Sequence, residues 1–200
     1  MADLEDYSGE FRSDIRYEDF SKEALGRLIE EYCRLGFRLD GTWQEVIRKR
    51  HGVEEAKAAE NEVWQTLVPF WQSRFAKALR IQGNDVATYL KLLQMDPQMC
   101  YRLMGVECEL HDEDHATLRV KTCHAVKYFK HTTGDMETLA EMCALDKRAF
   151  QRIATYVNPE IKLEEVFLPV DEGAPDCPNC EFRIWRERTP GAEKKGSGNE

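Results

Sequence analysis

The chain has 200 residues, and its 37 acidic and 28 basic side chains give it a net charge of −9. This length favours one compact domain with a sizeable core, and the acidic balance argues against a nucleic-acid-binding surface. No apolar run approaches the roughly 20 residues that span a bilayer, and the N-terminus is too acidic for a signal peptide. We therefore expect a soluble, cytoplasmic protein without nucleic-acid or membrane partners, whose seven cysteines are reduced, buried or metal-bound.

The first half of the chain carries apolar residues at helical spacing. Ser21 is a candidate N-cap, and the apolar stripe that follows it predicts a long helix. Two further helices follow, and the last of them ends before a proline, which disfavours the helical conformation of the residue that precedes it. The predicted helices are 21–51, about 53–80 with a kink at Pro69, and 85–94.

Beyond residue 97 the apolar pattern changes to a period of two, which is typical of strands. Residues 101–110 and 116–122 predict an antiparallel hairpin around a polar turn. In the first of these strands, four side chains are expected to face inward: Met104, Val106, Cys108 and Leu110. The remaining predicted elements are two helices, about 135–143 and 146–156, and two strands, 161–168 and 181–188.

The order of these elements predicts an α+β fold. A helical half at about 19–96 precedes a half at about 100–188 that holds an antiparallel sheet of about four strands and two helices. Both halves belong to a single domain, 19–188. The charged, aperiodic ends at 1–18 and 189–200 are expected to be flexible tails.

Four cysteines in the second half predict a metal site. Cys177 and Cys180 form a Cys-Pro-Asn-Cys knuckle before a strand, where two thiolates can bind one ion. Cys123 leaves a strand and Cys143 ends a predicted helix, so the fold must bring them to the knuckle. Thiolates suit zinc, iron and iron–sulfur clusters alike. A redox or disulfide pair at the knuckle and chemically inert thiols are the alternatives.

The helical half repeats a pattern of a carboxylate followed by a tryptophan. Asp40 precedes Gly41 and Trp43, and Glu60 lies one helical turn before Trp64. If the two long helices are antiparallel neighbours, Asp40 and Glu60 can face each other across one cavity. Solvated carboxylates and core tryptophans are the alternative interpretation.

These motifs resemble those of an uncharacterised prokaryotic family. The segments Asp40-Gly-Thr-Trp43 and Glu60-Asn-Glu-Val-Trp64 match its N-terminal pattern of Asp-Gly-x-Trp and acidic-x-x-x-Trp. The C-terminal pattern is matched by Cys123, Cys143, Asn158-Pro-Glu-Ile161 and Cys180-Glu-Phe. The family is distantly similar to L-2-amino-thiazoline-4-carboxylic acid hydrolase-like proteins and, by architecture, to 4-vinyl-reductase-type small-molecule-binding domains. The chain lacks the cysteine pair that family members often carry after the Pro-x-Ile segment, which leaves Cys177 and His124 as competing fourth ligands.

The hydrolase resemblance implies addition of water to a C=N or amide-like carbon of a small heterocyclic or thio-compound. On this hypothesis a zinc or iron ion is held by Cys123, Cys143, Cys177 and Cys180. The candidate catalytic residues are Asp40, Glu60 and His124, and the candidate substrate-binding residues are Trp43 and Trp64. Two other classes stay open: a small-molecule-binding or sensor module with a structural metal site and no catalysis, and an accessory protein that forms a homodimer through its long N-terminal helices.

Overall fold

The computed structural model describes residues 3–187, so the tail predicted at 189–200 lies outside the described residues. The helices are α1 (Lys22–His51), α2 (Val53–Leu79), α3 (Val86–Gln94), α4 (Tyr101–Met104), a π-helix (Val126–Thr133) and α5 (Met136–Val157), with 3₁₀ turns at Tyr17–Asp19 and Pro97–Met99. The strands are β1 (Val106–Leu110), β2 (His115–Val120), β3 (Ile161–Phe167) and β4 (Cys180–Arg186). Between residues 3 and 187, no helix combines the length and the apolarity that crossing a membrane requires.

The two long helices form a hairpin, as predicted. Ser21 caps α1, because its side-chain oxygen accepts a hydrogen bond from the amide of Ala24 at 3.1 Å. Gly52 ends α1 and precedes α2 with a φ of 91°, in the region that favours glycine. This single-residue link reverses the chain, so α2 packs back along α1.

The second half is built on a four-stranded antiparallel sheet in the order β1-β2-β4-β3. The period of two in β2 directs Ala116, Leu118 and Val120 into the core, where each is buried. Across from them on β4, Ile184 pairs with Ala116 and Phe182 pairs with Leu118. Helix α5 packs against β3, and α3 packs against β1 and β4. The α+β class is therefore confirmed.

One hydrophobic core joins the two halves. Val68, Tyr89 and Leu93 of the helical half belong to the same buried cluster as Leu118 and Ile184 of the sheet. Burial of a large apolar side chain contributes about 1.5–3 kcal/mol, so this shared cluster holds α2 and α3 firmly against the sheet. The candidate site described below lies where elements of the two halves meet.

The strand predicted at 101–110 is wrong in its first half. Residues Tyr101–Met104 form the short helix α4, and Gly105 then turns the chain with a φ of 57°. The helical turn buries two consecutive side chains, Leu103 and Met104, which a strand facing solvent on one side cannot do. The strand is shorter than predicted, and Leu110 at its end is 48% exposed instead of facing inward.

The two helices predicted at 135–143 and 146–156 are one continuous helix, α5. Asp135 caps its start by accepting a hydrogen bond from Thr138 N at 3.0 Å. No glycine or proline follows before Val157, so nothing in the sequence interrupts the backbone hydrogen bonds. Cys143 therefore lies within a helix and does not end one, which changes its relation to Asp146.

The segment ahead of α1 folds back on the start of that helix. Leu4 N donates to Asp19 O at 2.8 Å, and Ser21 N donates to Leu4 O at 2.9 Å. The hydroxyls of Tyr17 and Tyr32 lie 3.2 Å apart. This segment therefore borders the outer face of α1.

Candidate acid–thiol site

The hairpin of α1 and α2 brings Asp40 and Glu60 together. Gln44, one turn after Asp40, donates a hydrogen bond from its Nε2 to the Glu60 carboxylate, and the same nitrogen lies 3.5 Å from Asp40 Oδ2. Trp43 Nε1 donates to Asp40 Oδ1 at 3.0 Å. Glu60 is only 7% exposed. The two carboxyls are thus bridged by one amide, in agreement with the antiparallel arrangement expected from the sequence.

A third carboxyl, that of Asp146 on α5, lies close enough to interact with both. The negative charges of Asp40 and Asp146 disfavour ionisation of Glu60, and Asp40 does the same to Asp146. Asp146 is solvent-exposed, and the protein packed around its carboxyl still disfavours the charged form. The three carboxyls therefore form one group that is contributed by α1, α2 and α5.

These surroundings raise the pKa values of two carboxyl groups to about 7. Burial, followed by the charges of Asp40 and Asp146, raises the pKa of Glu60 to about 7, although the hydrogen bond from Gln44 opposes the rise. Burial and the charge of Asp40 raise the pKa of Asp146 to about 7. The pKa of Asp40 is also raised by burial, against the hydrogen bond from Trp43. Removal of water and mutual repulsion both favour the neutral carboxylic acid.

Three of the predicted cysteines converge on the same place. In the sheet Val120 pairs with Cys180, which brings the end of β2 beside the start of β4. The Asn179 side chain then accepts a hydrogen bond from Cys123 N at 2.7 Å, which fixes the exit of β2 against the knuckle. Cys143 of α5 belongs to a small buried cluster against which Cys123 packs. We call Asp40, Glu60, Asp146, Cys123, Cys143 and Cys180 the acid–thiol cluster.

Asp146 connects the carboxyls to the thiols. Burial and the charge of Asp146 raise the pKa of Cys123, and the same two causes raise that of Cys143 to about 12. Burial, together with Cys123, Asp146 and Cys143, raises the pKa of Cys180 as well. Without a bound cation, these three sulfurs are therefore protonated thiols at neutral pH.

Cys177 stands apart from the other three. Its side chain is exposed, and it lies near Lys121 on the outer side of the β2 exit. The expected four-cysteine set is thus drawn together only in part. Within residues 3–187, no three side chains of His, Cys, Asp or Glu are placed to hold a metal ion, so ligation by Cys123, Cys143 and Cys180 would require their side chains to turn.

The remaining predicted residues take different positions. His124 packs its ring against Phe37 of α1, with ring centres 5.5 Å apart, and burial with the charges of Arg34 and Lys127 lowers its pKa. Trp43 is half-buried and orients Asp40. Trp64 is 7% exposed and belongs to the hydrophobic core, so it contributes packing and not an open pocket wall.

The sequence interpretation missed Asp146 and Gln44. Cys143 and Asp146 are three residues apart, and Asp40 and Gln44 are four apart, so each pair shares one helix face. That spacing was a usable signal for Gln44. For Asp146 the spacing gave no signal, because the sequence predicted that one helix ends at Cys143 and another begins at Asp146. In that arrangement Asp146 caps the second helix and does not share a helix face with Cys143.

The fold and site define an α+β protein in which a helical hairpin, helix α5 and a four-stranded antiparallel sheet bring two carboxyls with pKa values of about 7 beside three cysteine thiols. A model of a family of unknown function, DUF6125, matches residues 18–184. The chain belongs to this family. No curated protein and no solved structure matches it.

Proposed function

We propose that the chain is a small-molecule hydrolase that adds water to a C=N or amide-like carbon at the acid–thiol cluster. The observation that carries the proposal is the pair of carboxyls, Glu60 and Asp146, whose pKa values both lie at about 7 beside a third carboxyl, Asp40. A general acid or base works best when its pKa is near the operating pH. Carboxyls whose pKa values are strongly shifted by burial and by neighbouring charges are typical of functional sites.

The proposed chemistry uses one carboxyl in each protonation state. A carboxylate accepts a proton from water as the water oxygen bonds to the electrophilic carbon. A neutral carboxylic acid donates a proton to the nitrogen of that C=N or amide group. Glu60 and Asp146 repel each other's charge, so near pH 7 the singly protonated pair is favoured. Asp40, oriented by Trp43, keeps the two pKa values raised.

Positive charge close to Glu60 favours an anionic substrate. The charge of Arg148 acts on Glu60 and on Arg152, its neighbour one turn along α5. Arg152 donates to Asn61 Oδ1 at 2.7 Å, while its buried Nη1 has no hydrogen-bond partner among the described residues. We propose that these guanidiniums attract a substrate carboxylate, which agrees with the class of heterocyclic acids that the distant resemblance implies.

We further propose that the cluster takes up zinc or iron through Cys123, Cys143 and Cys180. Three thiolates with a carboxylate nearby are a donor set that either metal accepts, and a bound cation would displace the thiol protons. Three protein ligands leave one coordination position open, as catalytic zinc sites do. Cys177 is expected to play no part, because it is exposed near Lys121.

The hydrolase proposal is tested with 2-amino-thiazoline-4-carboxylate and related thiazoline and amide acids as probes, by mass spectrometry for the gain of one water. Glu60→Gln is expected to lower kcat/KM by about 10²-fold or more, because the amide cannot transfer the proton. Glu62→Gln, an exposed acid on the same helix, should retain full activity. Equal activity of the two variants would contradict the role of Glu60.

Metal content separates the hydrolase from the sensor alternative. Anaerobically purified protein is expected to contain about one metal ion per chain, and Cys180→Ser should lose it while Cys177→Ser keeps it. Loss of the metal with loss of turnover but retention of the helical circular dichroism supports the open site. Loss of the fold on chelation supports a structural metal in a binding module. Absence of metal from all preparations would remove the metal from the proposal and leave the carboxyl chemistry standing.

A further inference from the structure

Helix α1 leaves an apolar stripe exposed along its outer face. Its inner face is held by Cys33, Phe37 and Gln44, which contact the core or α2. On the outer face Leu35 is 62% exposed and Leu39 is 69% exposed. Other exposed apolar residues of the same helix are Ile29, Tyr32 and Val46. Single exposed apolar residues are ordinary, but a continuous row of them marks an interaction surface.

The row has the spacing of a coiled coil. Four of its members, with half-buried Leu25 and Leu28 and exposed Thr42 added, follow alternating steps of three and four residues, and Ile29 lies beside them. This is the a and d pattern that buries a seam between two helices. The seam consists of Leu25, Leu28, Tyr32, Leu35, Leu39, Thr42 and Val46. At the N-terminal end, the exposed ring of Tyr17 lies beside Tyr32 and widens the apolar surface.

We infer that two copies of this chain pair through the outer faces of their α1 helices, which run antiparallel. The two-fold axis crosses the seam at the level along α1 midway between Cys33 and Arg34. This alignment sets Leu28 against Leu39 of the second copy and Tyr32 against Leu35 of the second copy. Both pairs occur twice, because the interface is the same surface on each copy. The occupant of the exposed seam is therefore another molecule of the same sequence.

Charge and shape beside the seam are complementary in this alignment. Glu31 and Arg38, both exposed, flank the seam on one side, and the two-fold axis sets each against the opposite charge of the second copy. On the other side Ile29 meets Gly36 of the second copy. Space around Gly36 is open, since a β-carbon built there would touch nothing within 4 Å, so the isoleucine can be accommodated.

A parallel pair would not use these features. In a parallel coiled coil the flanking residue contacts the residue five positions later on the partner, which sets Glu31 beside Gly36 and Arg38 beside Trp43. Both charges would then lack an opposite charge across the seam. The antiparallel arrangement is the one in which this sequence complements itself.

The oligomeric state is tested by sedimentation equilibrium of the full chain from about 1 to 100 µM, a range that covers moderate protein–protein affinities. The chain is expected to be a dimer whose dissociation constant rises at least about 100-fold in Leu35→Glu/Leu39→Glu, because the seam would bury unpaired charge. Phe70→Glu/Leu79→Glu changes two apolar residues of α2 that are equally exposed, 53% each, and should stay dimeric. Circular dichroism confirms that both variants are folded.

Charge reversal tests the alignment. Arg38→Glu alone is expected to weaken the dimer about tenfold, because Glu31 then faces a like charge twice. Adding Glu31→Arg to that variant should restore the dissociation constant to near the wild-type value. Three results would overturn the inference. They are a monomer at 100 µM, a dimer that persists in Leu35→Glu/Leu39→Glu, and a double charge reversal that fails to restore the dissociation constant. Turnover at the acid–thiol cluster is a separate readout, so either proposal can fail alone.

Discussion

A single buried carboxyl outside the candidate site, Asp96, sets a measurable pH dependence of stability. It is 4% exposed and accepts hydrogen bonds from Gln98 N at 2.9 Å and from Gln72 Nε2 at 3.0 Å. Burial outweighs both hydrogen bonds and raises its pKa from 3.8 to about 6. Gln72 Oε1 is buried and has no partner among the described residues. If the Gln72 side-chain amide rotates so that its oxygen faces Asp96, a protonated Asp96 can donate a hydrogen bond to that oxygen.

The free energy of unfolding is therefore expected to fall as this carboxyl ionises. Because the folded pKa lies above the unfolded value, the favourable contribution is complete below about pH 4 and is lost as the pH rises through about 6. A rise of this size corresponds to at most about 3 kcal/mol. Asp96→Asn cannot ionise and can donate to Gln72 Oε1, so we expect it to be more stable than the wild type at pH 8 by up to that amount.

Urea unfolding at pH 4, 6 and 8 measures this difference. Exposed Asp14 provides the matched control, since Asp14→Asn should follow the wild-type profile. If the wild type and Asp96→Asn differ by the same free energy at all three pH values, the burial of an ionisable Asp96 is not the cause.

At the scale of elements, periodicity predicted most of the helices and strands but not all the positions at which one element ends and the next begins. The hairpin of α1 and α2 followed from Ser21 and Gly52, which carry local signals. The join within α5 was misplaced, because Asp146 is a good cap residue in isolation and only the packing of the whole helix shows that it lies within α5. The helix α4 was missed for a similar reason, since four residues with an apolar alternation favour a strand until burial on both sides is known.

The candidate site could be predicted only where its residues are close in sequence. The proximity of Asp40 and Glu60 could be predicted, because a single residue links α1 to α2 and helix geometry then determines which residues of the two helices face each other. The contact of Cys123 with Asn179 joins residues 56 positions apart, and no local pattern encodes it. Nor does spacing distinguish Cys177 from Cys180, since only the pairing of β4 with β2 partly buries Cys180 while Cys177, ahead of the strand, stays exposed.

At the scale of the whole molecule, the shared core predicts that the helical half and the sheet unfold together. Leu118 at the centre of β2 is fully buried and belongs to the cluster that contains Tyr89 and Leu93 of α3. Leu118→Ala removes a large core side chain and should cost about 2–5 kcal/mol. If the core is one cooperative unit, amide hydrogen exchange should quicken by the same free energy in β2 and in α3. Leu110→Ala, at an exposed strand end, should change neither by more than about 0.5 kcal/mol. Faster exchange confined to the sheet would mean that α3 holds its structure without the strands, and that the acid–thiol cluster joins two separately stable units.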